Sequence, residues 1–382
     1  MPPTPLIILD IPKIDICEII DQIREVYLAD KRPWIVGYSG GKDSTAVLQM
    51  VYLMIQGLPA EQRHKTVHVV CNDTLVETPP IVKHMTTTIA AIASSAQRDG
   101  LPIVTKITSP PLKSRFFVKI IGRGYPAPTR TFRWCTDHMK IRPTNDYIKA
   151  QISQSGEVII VLGTRRSESG QRARTIQHYQ DLHGNGHLRA HGSLKGAYIY
   201  PPIQELQLGD VWSYLLQIRP PWGGSNRDLQ VLYGKAGGRD CPLVVESQTQ
   251  PCGSSRFGCW TCTVVRTDKS MESMVDNGED WMEPLLDFRN WLKEIREDMQ
   301  YRQPTRRDGT DAPGPFTLSA REMIFRRLMD TESEVGMQLI PEEEKREVER
   351  LWAMDGYSGD SVSVIEQQQK ESLKETKVAE CK

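Results

Sequence analysis

The sequence predicts an α/β protein built on a doubly wound, mostly parallel sheet, followed by a cysteine-rich segment and a C-terminal helical region. Two short runs, WIVGY at 34–38 and EVIIVLG at 157–163, are almost wholly apolar, as strands buried on both faces must be. Helical stretches alternate with runs of this kind, the pattern of a parallel sheet covered on both sides. Glycine and proline fall at the joints.

Taken in order, Ile16, Ile19, Ile20 and Ile23 share one face of a helix over 15–29. The strand at 34–38 follows Pro33 and runs into Ser39-Gly40-Gly41. Val47, Leu48, Val51 and Met54 or Ile55 give helical spacing over 44–57, ended by Gly57. A second strand, rich in β-branched residues, covers 66–71. Pro79 and Pro80 open a helix that reaches about Gln97, and a third strand covers 102–107. A helix over 143–153 leads into the fourth strand, 157–163. Residues 108–135 and 220–265 break the alternation, and structureless stretches of that length are usually functional or mobile. Helices follow at about 281–299, 318–330 and 341–353, then a polar tail expected to be disordered. The expected division is an α/β unit over 1–219, a cysteine-rich segment over 220–270, helices over 271–356, and the tail over 357–382. No internal repeat is visible.

The 382 residues carry 48 basic and 48 acidic side chains, a formal net charge of zero. No apolar run approaches the roughly 18 residues of a membrane span, so no membrane partner is expected. The N-terminal stretch has acids and prolines and lacks the basic flank of a secretory signal. A cytoplasmic location follows as an expectation, with reduced cysteines. The zero charge hides an asymmetry. Lys113 to Arg174 holds thirteen Lys and Arg against four Asp and Glu, whereas Glu272 to the end holds twenty-six acids against sixteen bases. The basic stretch is mixed with Gly, Pro, Trp and Phe, which suits a loop-built anion surface better than a charged helix face.

The first chemical signal is Ser39-Gly40-Gly41-Lys42-Asp43-Ser44, between a predicted strand and a predicted helix. Paired glycines let backbone N–H groups turn toward one point, and the helix N-terminus adds partial positive charge. Ser39 and Ser44 add hydroxyls. The Walker pattern requires Ser or Thr after the lysine, and Asp43 stands there instead. A carboxylate in a phosphate cradle repels the anion unless a magnesium ion or Lys42 lies between them. Asp73 ends the second strand and Gly163-Thr164-Arg165-Arg166 follows the fourth, at the carboxyl edge where open α/β sheets bind ligands. Asp73 suits a ribose or metal or simply caps a turn. Arg165 and Arg166 suit phosphate oxygens.

The second signal is Cys241, Cys252, Cys259 and Cys262, spaced C-x10-C-x6-C-x2-C. In a reducing compartment this bunching points to a metal more than to disulfides. Structural zinc commonly uses two C-x2-C hairpins and only one is present, so an iron–sulfur cluster held by thiolates in an irregular loop is favoured. Cys135 is a fifth candidate, either a ligand or a reactive thiol, and flanking Arg130 and Arg133 are expected to lower its pKa. Four of the five suffice for a cluster. Cys17 and Cys71 read as core residues, and Cys381 lies in the tail.

The SGGKDS string resembles the pyrophosphate loop (PP-loop) of the adenine nucleotide alpha-hydrolase-like superfamily, which includes ATP pyrophosphatases and sulfonucleotide reductases. That resemblance implies cleavage of ATP between its α- and β-phosphates, or binding of a sulfonucleotide. With the Arg-Trp-Cys-Thr segment at 133–136 and the late thiols, the chain resembles PAPS-reductase-like proteins. The stretches GYPAPTRTFRWCTDHMKIRP (124–143), LGTRRSES (162–169), WGGSNRDLQVLYG (222–234) and CPLVVESQTQPCGSSRFGCWTCTVV (241–265) resemble the DndC-type family of DNA phosphorothioation sulfurtransferases, as does GPFTLSAREMIFRRLM (314–329).

This second resemblance implies ATP-dependent activation of a DNA backbone phosphate and replacement of a non-bridging oxygen by sulfur. It also implies that the sulfur comes from a cysteine desulfurase through a 4Fe–4S centre. Lys42, Asp43 and Cys135 are then the candidate catalytic residues. Ser39, Gly40, Gly41, Lys42, Asp43, Ser44, Asp73, Gly163, Arg165 and Arg166 are the candidate nucleotide-binding residues. Lys113, Arg115, Lys119, Arg123, Arg130 and Arg133, interleaved with Phe116, Phe117, Tyr125 and Trp134, combine phosphate neutralisation with stacking surfaces for nucleic acid. Zero net charge leaves DNA affinity to other subunits of a modification complex. The competing enzymatic readings are a PAPS or APS reductase and a tRNA thiolation enzyme. The reductase needs a late catalytic cysteine, and Cys381 sits in a plain polar context. A non-enzymatic iron–sulfur scaffold or ATP-sensing subunit is the remaining alternative.

Overall fold

The strands of the sheet are β1 (Trp34–Tyr38), β2 (Val67–Asn72), β3 (Ile103–Thr108), β4 (Val158–Val161), β5 (Arg189–Ala190) and β6 (Ala197–Tyr200). Coordinates come from a computed structural model that describes residues 15–168, 187–237 and 258–356, with 364, 365, 367 and 368. The expected disordered tail falls, apart from those four positions, outside the described residues, as do Cys241 and Cys252. Strand order is β3-β2-β1-β4-β6-β5. Only the β5–β6 pairing is antiparallel among the described strands. Trp34 lies opposite both Val67 and Ile159, so β1 is the middle of the parallel block. The chain builds outward from β1 to β3 and then returns to β4 on the other side. The β1–β4 border is therefore the switch point at which such sheets bind ligands.

The expected helices form because their apolar faces meet this sheet. Helix α1 (Ile16–Leu28) buries Ile19, Ile23, Val26 and Tyr27, and the Asp15 side chain caps its Cys17 N–H. Helix α2 (Lys42–Gln56) is buried along most of its length. Helix α3 (Pro79–Arg98) starts at the two prolines, and α4 (Arg142–Ser155) stops at Gly156, whose φ of 78° needs glycine. Strand β4 stops at Val161, shorter than the apolar run; the Leu162 N–H still donates to the Tyr200 carbonyl, and Leu162 and Gly163 both line the site.

Two expectations of irregular structure are corrected. Helix α6 (Asn226–Lys235), capped by Ser225, lies inside 220–265, and α5 (Leu208–Gln217) precedes it. The stretch 108–135 is ordered by aromatic anchors and by a π-helical turn over Val118–Gly122, a geometry without the 3.6-residue period. The C-terminal helices α7 (Lys269–Asp276), α8 (Glu283–Glu297), α9 (Leu318–Val335) and α10 (Glu342–Met354) share one core with that stretch. Phe288, Phe325 and Trp352 pack there with Phe116, Phe117, Trp134 and Trp260. Trp352 Nε1 donates to the Ile121 carbonyl at 2.8 Å. Among the described residues, no helix is long and apolar enough to cross a membrane.

Candidate active site

Strand β1 delivers the Ser39–Ser44 loop to the switch point. Gly40 has φ 74°, in the left-handed region, which turns the loop into α2. Hydroxyls knit it together: Ser44 Oγ donates to the Gly41 carbonyl at 2.9 Å and accepts from the Ser39 N–H at 3.2 Å. From the α6 side, the Tyr233 hydroxyl accepts from the Lys42 N–H at 3.2 Å, and the Lys42 ammonium lies 4.9 Å from the centre of the Tyr233 ring. Gly163 comes in from β4. A Cβ there would stand 2.6 Å from the Asp43 carbonyl oxygen, so only glycine permits this approach.

The structure gives the loop acid two cations of its own. Arg165 Nε donates to Asp43 Oδ1 at 2.6 Å, and Lys42 Nζ stands 3.6 Å from Asp43 Oδ2. Arg165 is buried and also holds Ser167 Oγ at 2.9 Å. Arg166 pairs with Glu205 at 2.7 Å. Here, then, both arginines expected on phosphate oxygens face carboxylates. Asp73 accepts from the Leu75 N–H at 2.8 Å and caps a turn, with Leu75 at a left-handed φ of 66°. Its neighbour Asn72 lines the cavity instead and donates to the Met139 carbonyl at 3.0 Å.

That bond fixes a π-helical turn, Thr136–Ile141, which follows Cys135. On the facing side, Gly258–Trp260 is laid along 76–78. The Thr78 N–H and hydroxyl both donate to the Gly258 carbonyl, and the Trp260 N–H donates to the Val76 carbonyl. Cys259 pairs antiparallel with Glu77, and Thr74 Oγ1 lies 3.3 Å from the Cys259 sulfur. The Cys262 N–H closes a turn on the Cys259 carbonyl. Fully buried Arg289 donates to the carbonyls of Cys262, Val265 and Arg266.

Burial pushes the Cys135 thiol up, and the neighbouring Cys262 adds to the rise. The expectation that Arg130 and Arg133 lower this pKa does not hold, because both point into solvent while the thiol is half-buried. Burial raises the Cys259 thiol as well, with Glu77 reinforcing it. Among the described residues, no group of three His, Cys, Asp or Glu side chains is arranged to hold a metal ion.

Glu77 and Lys140 join the two halves. Both line a cavity of about 500 Å³ whose other walls include Ser39, Gly41, Lys42 and Gly163. Lys140 Nζ stands 3.0 Å from Glu77 Oε1, and Thr74 Oγ1 donates to the same oxygen at 3.0 Å. Burial works against the Lys140 ammonium, but Cys259 and Glu77 outweigh it and hold the pKa above the usual lysine value. Neither Glu77 nor Tyr233 stood out in the sequence. Tyr233 lies in the WGGSNRDLQVLYG stretch, and nothing local marks Glu77.

The sequence model of the phosphoadenosine phosphosulfate reductase domain matches residues 33–265, from the start of β1 through the late thiols. The chain belongs to this family. A curated relative, an uncharacterized protein of Methanocaldococcus jannaschii, is 25% identical over 222 residues; the match covers 58% of this chain and 38% of that protein. Among solved structures, phosphoadenylyl-sulfate reductase from Candida auris aligns at 12% identity and a TM-score of 0.32, covering 52% of this chain and 78% of the other. The U34-tRNA thiolase NcsA from Methanococcus maripaludis, with its 4Fe–4S cluster, aligns at 12% identity and 0.34, covering 74% and 78%.

In this phosphoadenosine phosphosulfate reductase family protein, the candidate nucleic-acid residues divide. Arg115 is taken by Glu343 and Glu344 of α10. Lys119 is buried with its ammonium 4.7 Å from the centre of the Tyr125 ring, and Arg123 keeps a buried Nε with no hydrogen-bond partner among the described residues. Arg130 and Arg133 stand exposed on a turn closed by the Thr129 N–H on the Phe132 carbonyl at 3.2 Å.

Proposed function

We propose that this chain is an ATP-dependent sulfurtransferase that inserts sulfur into the DNA backbone. One observation carries the reading: the Glu77–Lys140 pair lines the nucleotide-sized cavity and is bonded to the segment bearing Cys259. An anion cradle in this cavity, with Cys259 on the segment paired to its Glu77 wall, suits a reaction that activates an oxygen and then replaces it with sulfur. The DNA phosphate oxygen attacks the α-phosphorus of ATP and pyrophosphate leaves. Sulfide then attacks the DNA phosphorus, and the original oxygen departs with AMP. Without adenylylation that oxygen is a very poor leaving group.

The loop N–H groups, Ser39 and Ser44 would hold the phosphates of ATP at the positive end of α2. Lys42 balances charge on the leaving pyrophosphate. Asp43 is already neutralised by Arg165 and Lys42, so magnesium would accompany ATP on its own phosphate oxygens. Thiols are the right donor type for iron, and the ligands of a 4Fe–4S cluster would be four of Cys135, Cys241, Cys252, Cys259 and Cys262. Such a cluster would supply a site for sulfide. A cysteine desulfurase would furnish the sulfur as a persulfide, an external thiol would supply the two electrons that release it as sulfide, and further subunits would supply the sequence choice on DNA.

The test is product analysis. Protein purified without oxygen should release pyrophosphate and AMP from ATP in the presence of DNA and sulfide. The family match favours one other reading, reduction of a sulfonucleotide. Sulfite release from PAPS with no ATP turnover would establish that one instead.

A further inference from the structure

The acidic C-terminal region carries a cationic ribbon that faces the exposed 129–132 turn. Residues 302–316 fold back on themselves, with Arg302 paired to Phe316 and Thr305 to Asp311. The Arg306 N–H donates to the Thr310 carbonyl at 2.9 Å and the Gly309 N–H to the Arg306 carbonyl, so Arg306 and Arg307 sit at the tip, both exposed. Among the described residues, no carboxylate forms an ion pair with either. Between ribbon and turn lies a cleft of about 540 Å³ lined by Tyr125, Phe132, Arg296, Arg302, Arg306 and Arg307.

The floor of this cleft is aromatic. Phe132 is 44% exposed and stacks on Tyr125, with ring centres 6.5 Å apart and planes 17° apart. Arg307 lies over Tyr125 at 5.8 Å. The acids nearby include Glu297, which lines the cleft and is taken by Arg296 at 2.6 Å, Asp308, within electrostatic reach of Arg306, and Asp311, paired across the ribbon with Thr305. The cations crowd one another: burial and then Arg123, Arg142 and Arg307 all disfavour the charged form of Lys119. An excess of positive charge around an open aromatic face lacks an anion with a flat ring.

We propose that this cleft docks an unpaired nucleotide of a nucleic-acid strand. The base stacks on Phe132, and the flanking phosphates lie on Arg130, Arg306 and Arg307. Bases inside a duplex offer no free face, so a stacking floor selects single-stranded or extruded nucleotides. The position suits the chemistry. The Pro128 carbonyl accepts from Thr263 Oγ1 at 2.8 Å and from Arg296 at 2.7 Å, which bolts the turn to the residue after Cys262. Cys135 follows Phe132 by three residues. A strand held here runs past the thiols. The inference rests on the nucleic-acid reading above and adds to it the groove and the state of the strand.

Fluorescence anisotropy of the full chain tests it, with a labelled oligothymidylate of about twenty nucleotides, long enough to exceed one binding site, its duplex, and the matching oligouridylate. The single strand should bind more tightly than the duplex. Phe132→Ala should weaken single-strand binding about tenfold. Arg306→Gln with Arg307→Gln should lower the slope of log affinity against log salt by about one to two. ATP binding should be unchanged in both variants, which shows that they fold. Tighter binding of the ribo strand, with the same losses, keeps the groove and moves the substrate from DNA to RNA. Duplex binding equal to single-strand binding and indifferent to Phe132→Ala would overturn the proposal. Loss of strand binding in the variants, in a protein whose wild type leaves DNA free of sulfur, would keep the groove and sink the sulfur reading alone.

Discussion

Lys140 Nζ lies 3.0 Å from Glu77 Oε1, on the cavity wall that also carries the Ser39–Ser44 loop, and Glu77 is paired through its backbone with Cys259. This pair is the physical joint between the glycine loop and the segment that bears Cys259. Lys140→Met removes the cation and leaves the Glu77 carboxylate beside a buried sulfur. Sulfur incorporation should fall at least about tenfold, equivalent to roughly 1.4 kcal/mol of barrier, and by more than ATP affinity falls. Measuring both in one preparation separates the joint from the cradle, and wild-type incorporation would contradict the role.

Gly163→Ala should damage the cradle itself. The added methyl meets the Asp43 carbonyl at 2.6 Å and the Ser44 nitrogen at 2.9 Å, both backbone atoms that cannot swing away. Overpacking of this kind costs about 1–3 kcal/mol. Urea midpoints should drop and ATP affinity should fall with them. A variant with wild-type midpoint and affinity would show that Gly163 has room to move.

Glu344 sets a pH dependence. Burial pushes its carboxyl up to about 7, against the pull of Arg115, whose Nη1 is 3.4 Å away. The folded chain therefore keeps a proton that the unfolded chain releases near 4.5. The stability from this group is complete below that value and is lost as pH rises toward 7, by up to roughly 3 kcal/mol. Glu344→Gln should flatten the decline between those limits. Parallel stability curves for wild type and variant would rule the effect out.

Arg289→Leu should loosen the late thiols. Arg289 is fully buried, and its guanidinium satisfies three carbonyls between Cys262 and Arg266. Each abandoned buried acceptor costs about 1–3 kcal/mol. Iron content after anaerobic purification should fall along with thermal stability, and full iron retention would show that the thiol segment holds itself.

Much of the fold was legible because buried parallel strands are continuously apolar. Trp34–Tyr38 matches its expectation residue for residue, and α3 starts at the prolines that mark it. The loop was legible from two glycines and a lysine at a strand–helix joint. Partners brought by distant chain were not. Arg165 looks like a phosphate ligand in sequence, and only folding shows Asp43 at 2.6 Å. Glu77 carries no local mark, since its role comes from an antiparallel pairing with residue 259. Short β6 and π-helical 136–141 escape because neither gives a long periodic pattern.

The decisive measurement is mass spectrometry of nuclease-digested DNA from cells with the wild-type protein, with Lys42→Ala, and with Cys259→Ser. Sulfur-bearing dinucleotides in the wild type and in neither variant are the expected result. DNA free of sulfur in the wild type, or thiolated tRNA bases in its place, would contradict a PP-loop and thiols that act together on the DNA backbone.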